Sequence, residues 1–348
     1  MEDSNVRAAV EDRVVLVTGA GGSIGSALAG RLTLFQPRHL ILLDHSERNL
    51  NEIRSKITNN NSRTSFVLGS VSDLDLLAEI FGTYRPQIVF HAAAFKHVPL
   101  MELNPIAAVH NNAIATYELA KLCREKSVSN LILLSTDKAV NPISIMGASK
   151  RVAELALNHT RTTTAHMTAV RLGNVLSTEG SVVPLFLSQI RNGGPVTVTD
   201  PRATRYFFPL EEAVDLVLSV AVQDASEIFI PTVNAPINIH AMALELIRES
   251  KSENHNDIEI SFTGLRPGDK LTEEFLYADE AAHSTIDPRL FRVVSDIAPL
   301  DSFDAEINSL SRAVEARNVP ATIEVIRRLV PQYQPSETLM RPVRELIA

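Results

Sequence analysis

Short apolar runs alternate with helical segments through the first half of the chain, and this alternation limits the possible folds more than any other feature. The runs are rich in valine, isoleucine and leucine, as in RVVLVT (13–18) and HLILLD (39–44), which is typical of strands buried on both faces. Strands and helices that alternate in this way favour an α/β fold with a doubly wound parallel sheet. The predicted strands are Arg13–Thr18, His39–Asp44, Thr64–Leu68, Gln87–His91, Asn130–Ser135 and His166–Leu172, and the predicted helices are Ser23–Phe35, Arg48–Ile57, Asp73–Phe81, Asn104–Lys126 and Met146–His159.

The second half of the chain has a mixed pattern. Glycine and proline loops such as 193–195 and 266–268 separate short segments there, and Ala321–Leu329 has the periodicity of a terminal helix. A chain of 348 residues is long enough for one large domain or two smaller ones. We predict a first domain over residues 1–172 whose sheet is completed by later segments, a smaller discontinuous region over 173–330, and a tail over 331–348.

Composition excludes several classes of protein. The chain has 33 Lys and Arg against 41 Asp and Glu, and the net charge of -8 argues against broad nucleic-acid binding. Cys123 is the only cysteine, which excludes an intramolecular disulfide and a cysteine-based zinc site, and we predict no metal. No apolar run approaches the ~20 residues of a membrane-spanning helix, and the polar residues 1–12 are unlike a signal peptide. We therefore expect a cytoplasmic protein without a membrane span.

A glycine motif lies between the first predicted strand and the first long helix. Gly19, Gly22 and Gly25 have the GxxGxxG spacing, which lets a backbone turn tightly and approach a pyrophosphate at a helix N-terminus. Asp44 ends the next strand, where a carboxylate accepts ribose hydroxyls and repels a 2′-phosphate. This context favours a dinucleotide site, and Asp44 favours NAD over NADP, although the nearby Arg48 weakens that preference. The alternative is a plain turn followed by a helix-capping aspartate. Ser23 and Ile24 belong to the same predicted site.

The fourth predicted strand ends in small residues. Ala92, Ala93 and Ala94 follow His91 and leave room for a cofactor's ribose and diphosphate. A tightly packed strand end explains the same residues equally well. Asp73 is predicted to cap the helix that follows it, with a contact to adenine as the alternative, and Asn104 is predicted to cap the next long helix.

Polar groups converge after the fifth predicted strand. Thr136, Asp137 and Lys138 lie at its end, and ligands of open α/β sheets bind at the carboxyl ends of strands. Met146 and Lys150 are four residues apart on the next helix and share a face. We therefore expect a hydroxyl, a carboxylate and an amine to point into one cleft. The alternative is an exposed Asp/Lys turn before a helix.

Together with further motifs, these residues resemble a known family. The chain is similar, from about Arg13 to Leu276, to the Rossmann-like extended short-chain dehydrogenases/reductases. More narrowly, it resembles the bacterial nucleotide-sugar 4,6-dehydratases of polysaccharide biosynthesis that act on UDP-N-acetylglucosamine, in a subgroup that carries methionine at position 146 and a membrane region that we do not find here. The matching stretches are VTGAGGSIGS (17–26), ILLDHSE (41–47), HAAAFKHVPLMELNP (91–105), LSTDKAVNP (134–142), MGASKR (146–151), RLGNVL (171–176), GSVVPLF (180–186), GGPVTVTDP (193–201), TRYF (204–207) and LRPGDKL (265–271).

The resemblance implies a redox-neutral dehydration. Hydride leaves sugar C4 for NAD, a base removes the C5 proton, an acid helps the C6 hydroxyl to leave, and hydride returns to C6 to give a 4-keto-6-deoxy sugar. Asp137 and Lys138 match the family's acid and base, Thr136 the hydroxyl that binds the C4 oxygen, and Lys150 the lysine on the nicotinamide ribose. Lys138 must be neutral to accept a proton, so its pKa is expected to fall through burial or through nearby Lys150.

Two positions depart from the family's pattern. The wider superfamily has a tyrosine base where this chain has Met146, so the base for the C4 hydroxyl is unassigned, with Thr136 acting through water or Asp137 as candidates. At position 70, relatives often have an aspartate that faces the adenine, whereas this chain has Ser70. We therefore expect backbone groups near Val71 to recognise the adenine.

Further residues match the family's binding site for the UDP-sugar. The positions near the diphosphate are matched by Asn174, Arg205 and Arg266. A guanidinium suits this role because it binds phosphate oxygens well. The alternative for each arginine is an ordinary surface ion pair. Lys96 is placed to reach the sugar or a phosphate. The segment near the nucleoside contains Ser181, Pro184, Leu185 and Gln189. Glu273 and Glu274 are interpreted as a solvated helix face, and His97 as structural.

Two other functions remain open from the sequence. An NAD-dependent nucleotide-sugar 4-epimerase shares the cofactor site but does not need the Asp137–Lys138 pair. A non-catalytic NAD-binding protein is suggested only by Met146. The helices Asn104–Lys126 and Met146–His159 resemble those of a four-helix dimer interface, so we expect a homodimer or a higher homo-oligomer.

Overall fold

One large sheet organises the protein in the computed structural model, which describes residues 3–57, 63–178, 180–223, 227–250, 258–295 and 300–340. The strands are β1 (Val14–Thr18), β2 (His39–Asp44), β3 (Thr64–Leu68), β4 (Ile88–His91), β5 (Asn130–Thr136), β6 (His166–Leu172), β7 (Asn174–Val175), β8 (Val196–Val198), β9 (Thr204–Arg205), β10 (Phe207–Phe208), β11 (Ile228–Pro231), β12 (Ile237–Asn238), β13 (Ile260–Phe262), β14 (Glu280–Ser284) and β15 (Leu290–Ser295). In these described ranges the large sheet has nine strands in the order β14-β15-β11-β6-β5-β4-β1-β2-β3.

Helices cover this sheet and fill the remaining regions. They are α1 (Asp3–Val10), α2 (Ser23–Thr33), α3 (Glu47–Ile57), α4 (Leu74–Tyr84), α5 (Val98–Leu103), α6 (Pro105–Val109), α7 (Ala115–Glu125), α8 (Ile145–Thr160), α9 (Val182–Arg191), α10 (Leu210–Val220), α11 (Ile239–Ser250), α12 (Phe303–Glu315), α13 (Val319–Leu329) and α14 (Glu337–Met340). A π-helical turn at His110–Ile114 joins α6 to α7, and a 3-10 turn at Asp137–Ala139 follows β5. No helix in the described ranges combines the length and the apolar character needed to cross a bilayer.

The doubly wound parallel sheet is confirmed. β1 pairs in parallel with β2 on one side and β4 on the other, and the series continues in parallel through β5 and β6 to β11. β15 and β14 then extend the edge in antiparallel, so segments from the second half of the chain complete the sheet. The strand order reverses between β1 and β4, and their carboxyl ends therefore flank the crevice where ligands bind in this architecture.

The predicted strands and helices agree with the structure to within about two residues at most ends. The side chain of Asp73 accepts a hydrogen bond from the Leu76 amide at 3.0 Å, so its capping role is confirmed. The capping prediction for Asn104 is wrong, because its side-chain amide instead donates to the Leu100 carbonyl at 2.9 Å. That bond joins Asn104 to the short helix before it, which the sequence analysis did not predict.

The two faces of the sheet bury different residues of each strand. Val15 and Val17 of β1 face α1, α2, α3 and α10, whereas Val14 and Leu16 face α4, α7 and α8. Both sets are almost fully buried, which explains why the strand is uniformly apolar rather than alternating. Cys123 lies in the second of these layers, where burial raises the pKa of its thiol and makes it an inert core residue.

Helix α8 is enclosed within the chain. Its apolar residues pack with α12 and α13 in a separate cluster that includes Val152, Phe303 and Ile326. Tyr117 of α7 donates to Asp304 of α12 at 2.6 Å, which fixes the same hairpin over α7. The α12–α13 hairpin therefore covers part of the surface of α7 and α8. The expectation that these helices also contribute to a dimer interface stays a prediction.

A buried charge network joins the end of the sheet to the later segments. The Arg171 guanidinium on β6 donates to Glu154 of α8 at 2.9 and 3.0 Å and to Glu280 of β14, with one contact of 2.9 Å. Ser135 donates to the same Glu154 at 2.6 Å. Burial is the largest influence on the pKa of Glu154, but the neighbouring guanidiniums outweigh it and lower that pKa to about 2. The network is balanced, because Arg151 supplies the second positive charge.

Replacing Arg171 with methionine is expected to destabilise the protein by about 3–5 kcal/mol, because two buried carboxylates lose their main partner. The free energy of unfolding in urea measures this loss. Arg292→Met is the matched control, since Arg292 is half-exposed and its pair with Glu227 is worth less than about 1 kcal/mol. Equal losses in the two variants would contradict the central role of the network.

Candidate active site

The glycine turn after β1 fits closely against the end of β4. Gly19 has φ +68, and a Cβ there would lie 2.6 Å from the Ala93 nitrogen. A Cβ on Gly25 would lie 2.1 Å from the Gly19 oxygen, so neither position accepts a side chain. Gly22 begins α2 without a side-chain cap, which leaves the backbone N–H groups of the first turn directed at the crevice.

A cleft with about 550 Å³ of empty space lies at the point where the strand order reverses. It brings together predicted residues from four loops, namely Gly19, Gly22, Asp44, Ser70, Val71, Ala92, Ala93 and Ala94. It also contains residues that the sequence analysis missed, namely Leu43, His45, Asn49, Gly69, Phe95 and Asn111. Ser23, Ile24 and Gly25 lie in the first turn of α2 and do not line the cleft. The small residues after β4 therefore form a cleft wall rather than a plain packed strand end.

Asp44 is the charged group of this cleft. Its two carboxylate oxygens accept hydrogen bonds from the Gly21 and Ser46 amides, each at 2.8 Å, and the residue is 5% exposed. The nearby Arg48 points away and pairs with Glu52 at 3.0 Å. The carboxylate charge at the cleft is therefore not offset by that arginine, which suits a ribose diol and opposes a 2′-phosphate.

The π-helical turn positions the loop after β4. Asn112 in this turn accepts from the Phe95 amide at 2.8 Å and donates to the Phe95 carbonyl at 2.9 Å. The same amide group donates to Ser149 of α8 at 3.2 Å. One asparagine thereby ties the cleft loop to the helix that carries Lys150, and the extra residue of the π turn places Asn111 in the cleft wall.

A buried histidine holds the ends of β1 and β4 together. His91 bonds Thr18 through Nδ1 at 2.7 Å and Thr116 through Nε2 at 2.8 Å. Thr116 donates its own proton to the Asn112 carbonyl, so His91 Nε2 carries a proton and Nδ1 accepts from Thr18. Burial, helped by the charge of Lys150, lowers the pKa of His91 to about 3. The imidazole is therefore neutral and acts as a structural bridge.

Thr136, Asp137 and Lys138 meet as predicted at the end of β5. Thr136 donates to Oδ1 of Asp137 at 2.9 Å, and the Lys138 ammonium donates to the same oxygen at 2.8 Å. Lys138 also donates to Asn174 at 3.1 Å. Asp137 is fully buried, and its Oδ2 has no hydrogen-bond partner among the described residues. A buried carboxylate oxygen without a donor is costly unless a ligand supplies one.

The expectation that the pKa of Lys138 falls is wrong for the unliganded protein. Burial alone would lower this pKa, but the negative charges of Asp137 and Glu273 outweigh burial and raise it. Lys138 therefore rests as an ammonium ion between two carboxylates.

Lys150 and Met146 lie on the buried face of α8. Met146 is 3% exposed within the apolar cluster that includes Ile145 and Ala148. Lys150 is also 3% exposed, and it has no hydrogen-bond or ion-pair partner among the described residues. Burial lowers its pKa to about 8. A buried, unpartnered amine fits the ribose-binding role that the resemblance implies.

A glycine and a serine bring α8 close to the reactive turn. A Cβ on Gly147 would lie 2.2 Å from the Lys138 carbonyl oxygen, so only glycine allows this approach. Ser144 caps the helix by accepting from the Gly147 amide at 3.1 Å.

The interpretation of Glu273 as a solvated residue is wrong. Glu273 lies in a coil segment and is 5% exposed. Its carboxylate is 3.6 Å from the Lys138 nitrogen, 3.8 Å from Arg205 and 3.6 Å from Lys270. Glu274 is exposed and accepts from Asn141 at 2.9 Å.

The other predicted substrate residues occupy different environments. Arg205 donates to the carbonyls of Thr204, Lys270 and Leu271 at 2.7–3.1 Å, so most of its N–H groups are already engaged. Arg266 is 57% exposed and pairs with Asp269 at 2.7 Å. Next to α9, Ser181 has a buried hydroxyl without a hydrogen-bond partner among the described residues. Pro184 and Leu185 of this helix are exposed, and Gln189 forms hydrogen bonds with Thr197 of β8. Lys96 is exposed on the loop after β4.

Comparisons with known proteins agree with this fold and site. Residues 15–295 match the profile of the family described as "Polysaccharide biosynthesis protein". The capsular polysaccharide biosynthesis protein CapD of Staphylococcus aureus is 42% identical over 81% of this chain and 48% of its own, so the chain spans about half the length of that relative. A UDP-glucose 4-epimerase of Rickettsia rickettsii is 32% identical over 90% of both chains. The crystal structure of Pen from Bacillus thuringiensis superposes with a TM-score of 0.77 at 28% identity, covering 82% of this chain and 89% of that one.

Lys150→Met is expected to stabilise the unliganded protein by about 3 kcal/mol at pH 7, because a pKa lowered from 10.5 to about 8 means that folding disfavours the charged amine. This penalty is complete below pH 8 and disappears as the pH rises through 10.5, so the two proteins should converge there. Urea unfolding at several pH values measures the effect. A gain in stability that persists unchanged at pH 10.5 would contradict it.

Proposed function

Since the chain belongs to the polysaccharide biosynthesis protein family of extended short-chain dehydrogenases/reductases, we propose that it is an NAD-dependent 4,6-dehydratase of a UDP-N-acetylhexosamine, most simply UDP-N-acetylglucosamine. The observation that carries the proposal is the hydrogen-bonded group of Thr136, Asp137 and Lys138 at the end of β5. An epimerase needs no acid and base for elimination at C5 and C6, whereas a dehydratase needs both.

The cofactor cleft fits NAD. Its glycine turn and alanine wall leave backbone rather than side chains facing a diphosphate, and Asp44 offers a carboxylate for the adenosine ribose. Lys150 would hold the second ribose through its unpartnered amine. When bound, NAD would supply the acceptor for the C4 hydride and the donor for its return to C6.

Proton balance assigns the base for the C4 hydroxyl. Met146 has no group that accepts a proton, so we assign this proton to Asp137, directly or through Thr136, which already donates to its Oδ1 at 2.9 Å. Asp137 then holds the proton that the leaving C6 hydroxyl needs. Lys138 takes the C5 proton, exchanges it with solvent, and protonates C5 when hydride adds at C6. Each residue ends the cycle in the state in which it began.

This cycle starts from a carboxylate and a neutral amine. The raised pKa of Lys138 makes that form rare, since an ordinary lysine with a pKa near 10.4 is neutral in only about one molecule in a thousand at pH 7.5. The rate should therefore increase with pH by up to about tenfold per unit across the neutral range.

An NAD-dependent 4-epimerase is the second candidate. The similarity to a UDP-glucose 4-epimerase over 90% of both chains favours it. Such an enzyme would remove and return hydride at C4 without touching C5. Asp137 would still take and return the C4 hydroxyl proton, whereas Lys138 would have only a binding role.

Incubation with UDP-N-acetylglucosamine in D2O should give the 4-keto-6-deoxy product with deuterium at C5, read by NMR. Lys138→Ala should lose both product and deuterium because no group remains to accept the C5 proton, while NAD binding is kept. Lys56→Ala is the control, as Lys56 is an exposed lysine on α3. A 4-epimer without deuterium would establish the second candidate, and turnover by Lys138→Ala near the wild-type rate would exclude Lys138 as the base.

NAD should bind more tightly than NADP, because the Asp44 carboxylate would face the 2′-phosphate. Asp44→Asn removes the charge and keeps an acceptor for one of the two amides, Gly21 or Ser46, so it should narrow the preference for NAD over NADP. Titration calorimetry with both cofactors measures this. Equal affinities in the unmodified protein would contradict the assignment.

A further inference from the structure

A second buried carboxylate lies beside the acid–base pair. Glu273 comes from the coil segment that follows the glycine–proline loop at 266–268, and its Oε1 lies 3.6 Å from the Lys138 nitrogen. Its side chain is 2% exposed, and Oε2 has no hydrogen-bond partner among the described residues. With no hydrogen bond to Oε2, this buried carboxylate depends on the neighbouring positive charges of Lys138, Arg205 and Lys270.

We propose that Glu273 is a positioning residue of the reaction, which holds the Lys138 amine between two carboxylates and sets how readily that amine releases its proton. The proposal rests on the proposed function, because it concerns the residue that acts as base there. Glu273 would contact no reacting atom itself and would act through Lys138.

The geometry places Lys138 in a fixed position. Its nitrogen lies 2.8 Å from Asp137 Oδ1, 3.1 Å from Asn174 Oδ1 and 3.6 Å from Glu273 Oε1, so three oxygens surround it. Two of these oxygens carry negative charge and favour the ammonium form. Asn174 is neutral, so Asp137 and Glu273 are the two groups next to this nitrogen that favour its charged form.

Two other cations limit the influence of Glu273. Arg205 and Lys270 both contact the same carboxylate and oppose its effect on Lys138. Both are held by backbone carbonyls, as Lys270 donates to Val140 at 2.6 Å and Arg205 donates to Lys270 and its neighbours. They therefore cannot easily move away, and the effective charge of Glu273 depends on their presence.

The contact of Lys270 also links the two segments mechanically. Val140 follows directly after the 3-10 turn that contains Asp137 and Lys138. The segment that carries Glu273 is therefore tied to the reactive turn both through the backbone of that turn and through the side chain of Lys138. A change at Glu273 should reach the reactive turn without passing through the cofactor cleft.

The test measures the pKa of the Lys138 amine directly in the purified protein. Trace acetic anhydride labels neutral amines only, and mass spectrometry of the peptide containing Lys138 gives the labelled fraction at each pH. Glu273→Gln should lower this pKa by about one unit, since one of two adjacent negative charges is lost. Lys270→Gln should raise it, because Glu273 then lacks one of its opposing cations. Glu274→Gln, at the exposed neighbour, should leave it unchanged.

The rate of dehydration provides the second measurement. At pH 7.5 a larger fraction of Glu273→Gln should have a neutral Lys138 and be active. The rising limb of its pH–rate profile should move to lower pH by as much as the pKa of Lys138 falls. Glu273→Asp keeps the negative charge and should restore the original limb. A pKa that does not move in Glu273→Gln overturns the proposal. If that variant does not fold, Lys270→Gln decides, and an unchanged or lowered pKa there overturns the proposal.

These measurements also separate the proposal from the proposed function. If the unmodified protein does not dehydrate the sugar, the labelling experiment still reports the pKa of Lys138 without turnover. A pKa that moves as expected in an inactive protein supports the control of Lys138 by Glu273 and removes the dehydratase assignment.

Discussion

The buried contacts around Arg171 hold together β5, α8 and β6 and join them to β14, where Glu280 is 109 residues further along the chain than Arg171. One guanidinium on β6 binds a carboxylate of α8 and a carboxylate of β14, and Ser135 at the end of β5 shares the first of them. Ser135 directly precedes Thr136, and α8 carries Lys150, so the same network fixes both sides of the reactive centre. A buried ion pair of this kind adds little net stability over an apolar replacement, but losing one partner is costly. Arrangements that leave either carboxylate unpaired are therefore disfavoured.

The fold could be predicted further from the sequence than the site could. Strand periodicity and the glycine turn depend on neighbouring residues, so β3 and β6 were predicted with the bounds that the structure has. Glu273 was not, because two adjacent glutamates in a polar segment look solvated, and only the folded chain brings Lys138 and Arg205 to them. Asn111 was missed for a related reason, since nothing in the sequence marks the π-helical turn that directs it to the cleft. The charge state of Lys138 also depends on these long-range contacts.

The two lysines of the site illustrate opposite uses of burial. Lys138 has two carboxylate neighbours and rests charged, whereas Lys150 has no partner and is held near the point where it loses its proton. The ion pairs of Lys138 stabilise the folded protein but oppose catalysis by its amine. The burial of Lys150 lowers the free energy of unfolding but favours ligand binding. Proteins commonly accept such a cost at functional positions. In this chain the cost falls on the residue that would contact the cofactor.

Helix α8 has consequences for how far sequences of this type can diverge. From Ile145 to Glu154 every residue of the helix is buried, with the sheet on one side and the α12–α13 hairpin on another. Mutational tolerance is greatest where a side chain meets solvent, and this stretch offers no such position. A deep mutational scan would therefore find it among the least permissive parts of the described chain, including positions with no chemical role. Positions of α8 that do not tolerate substitution would then reflect burial as much as a role in catalysis.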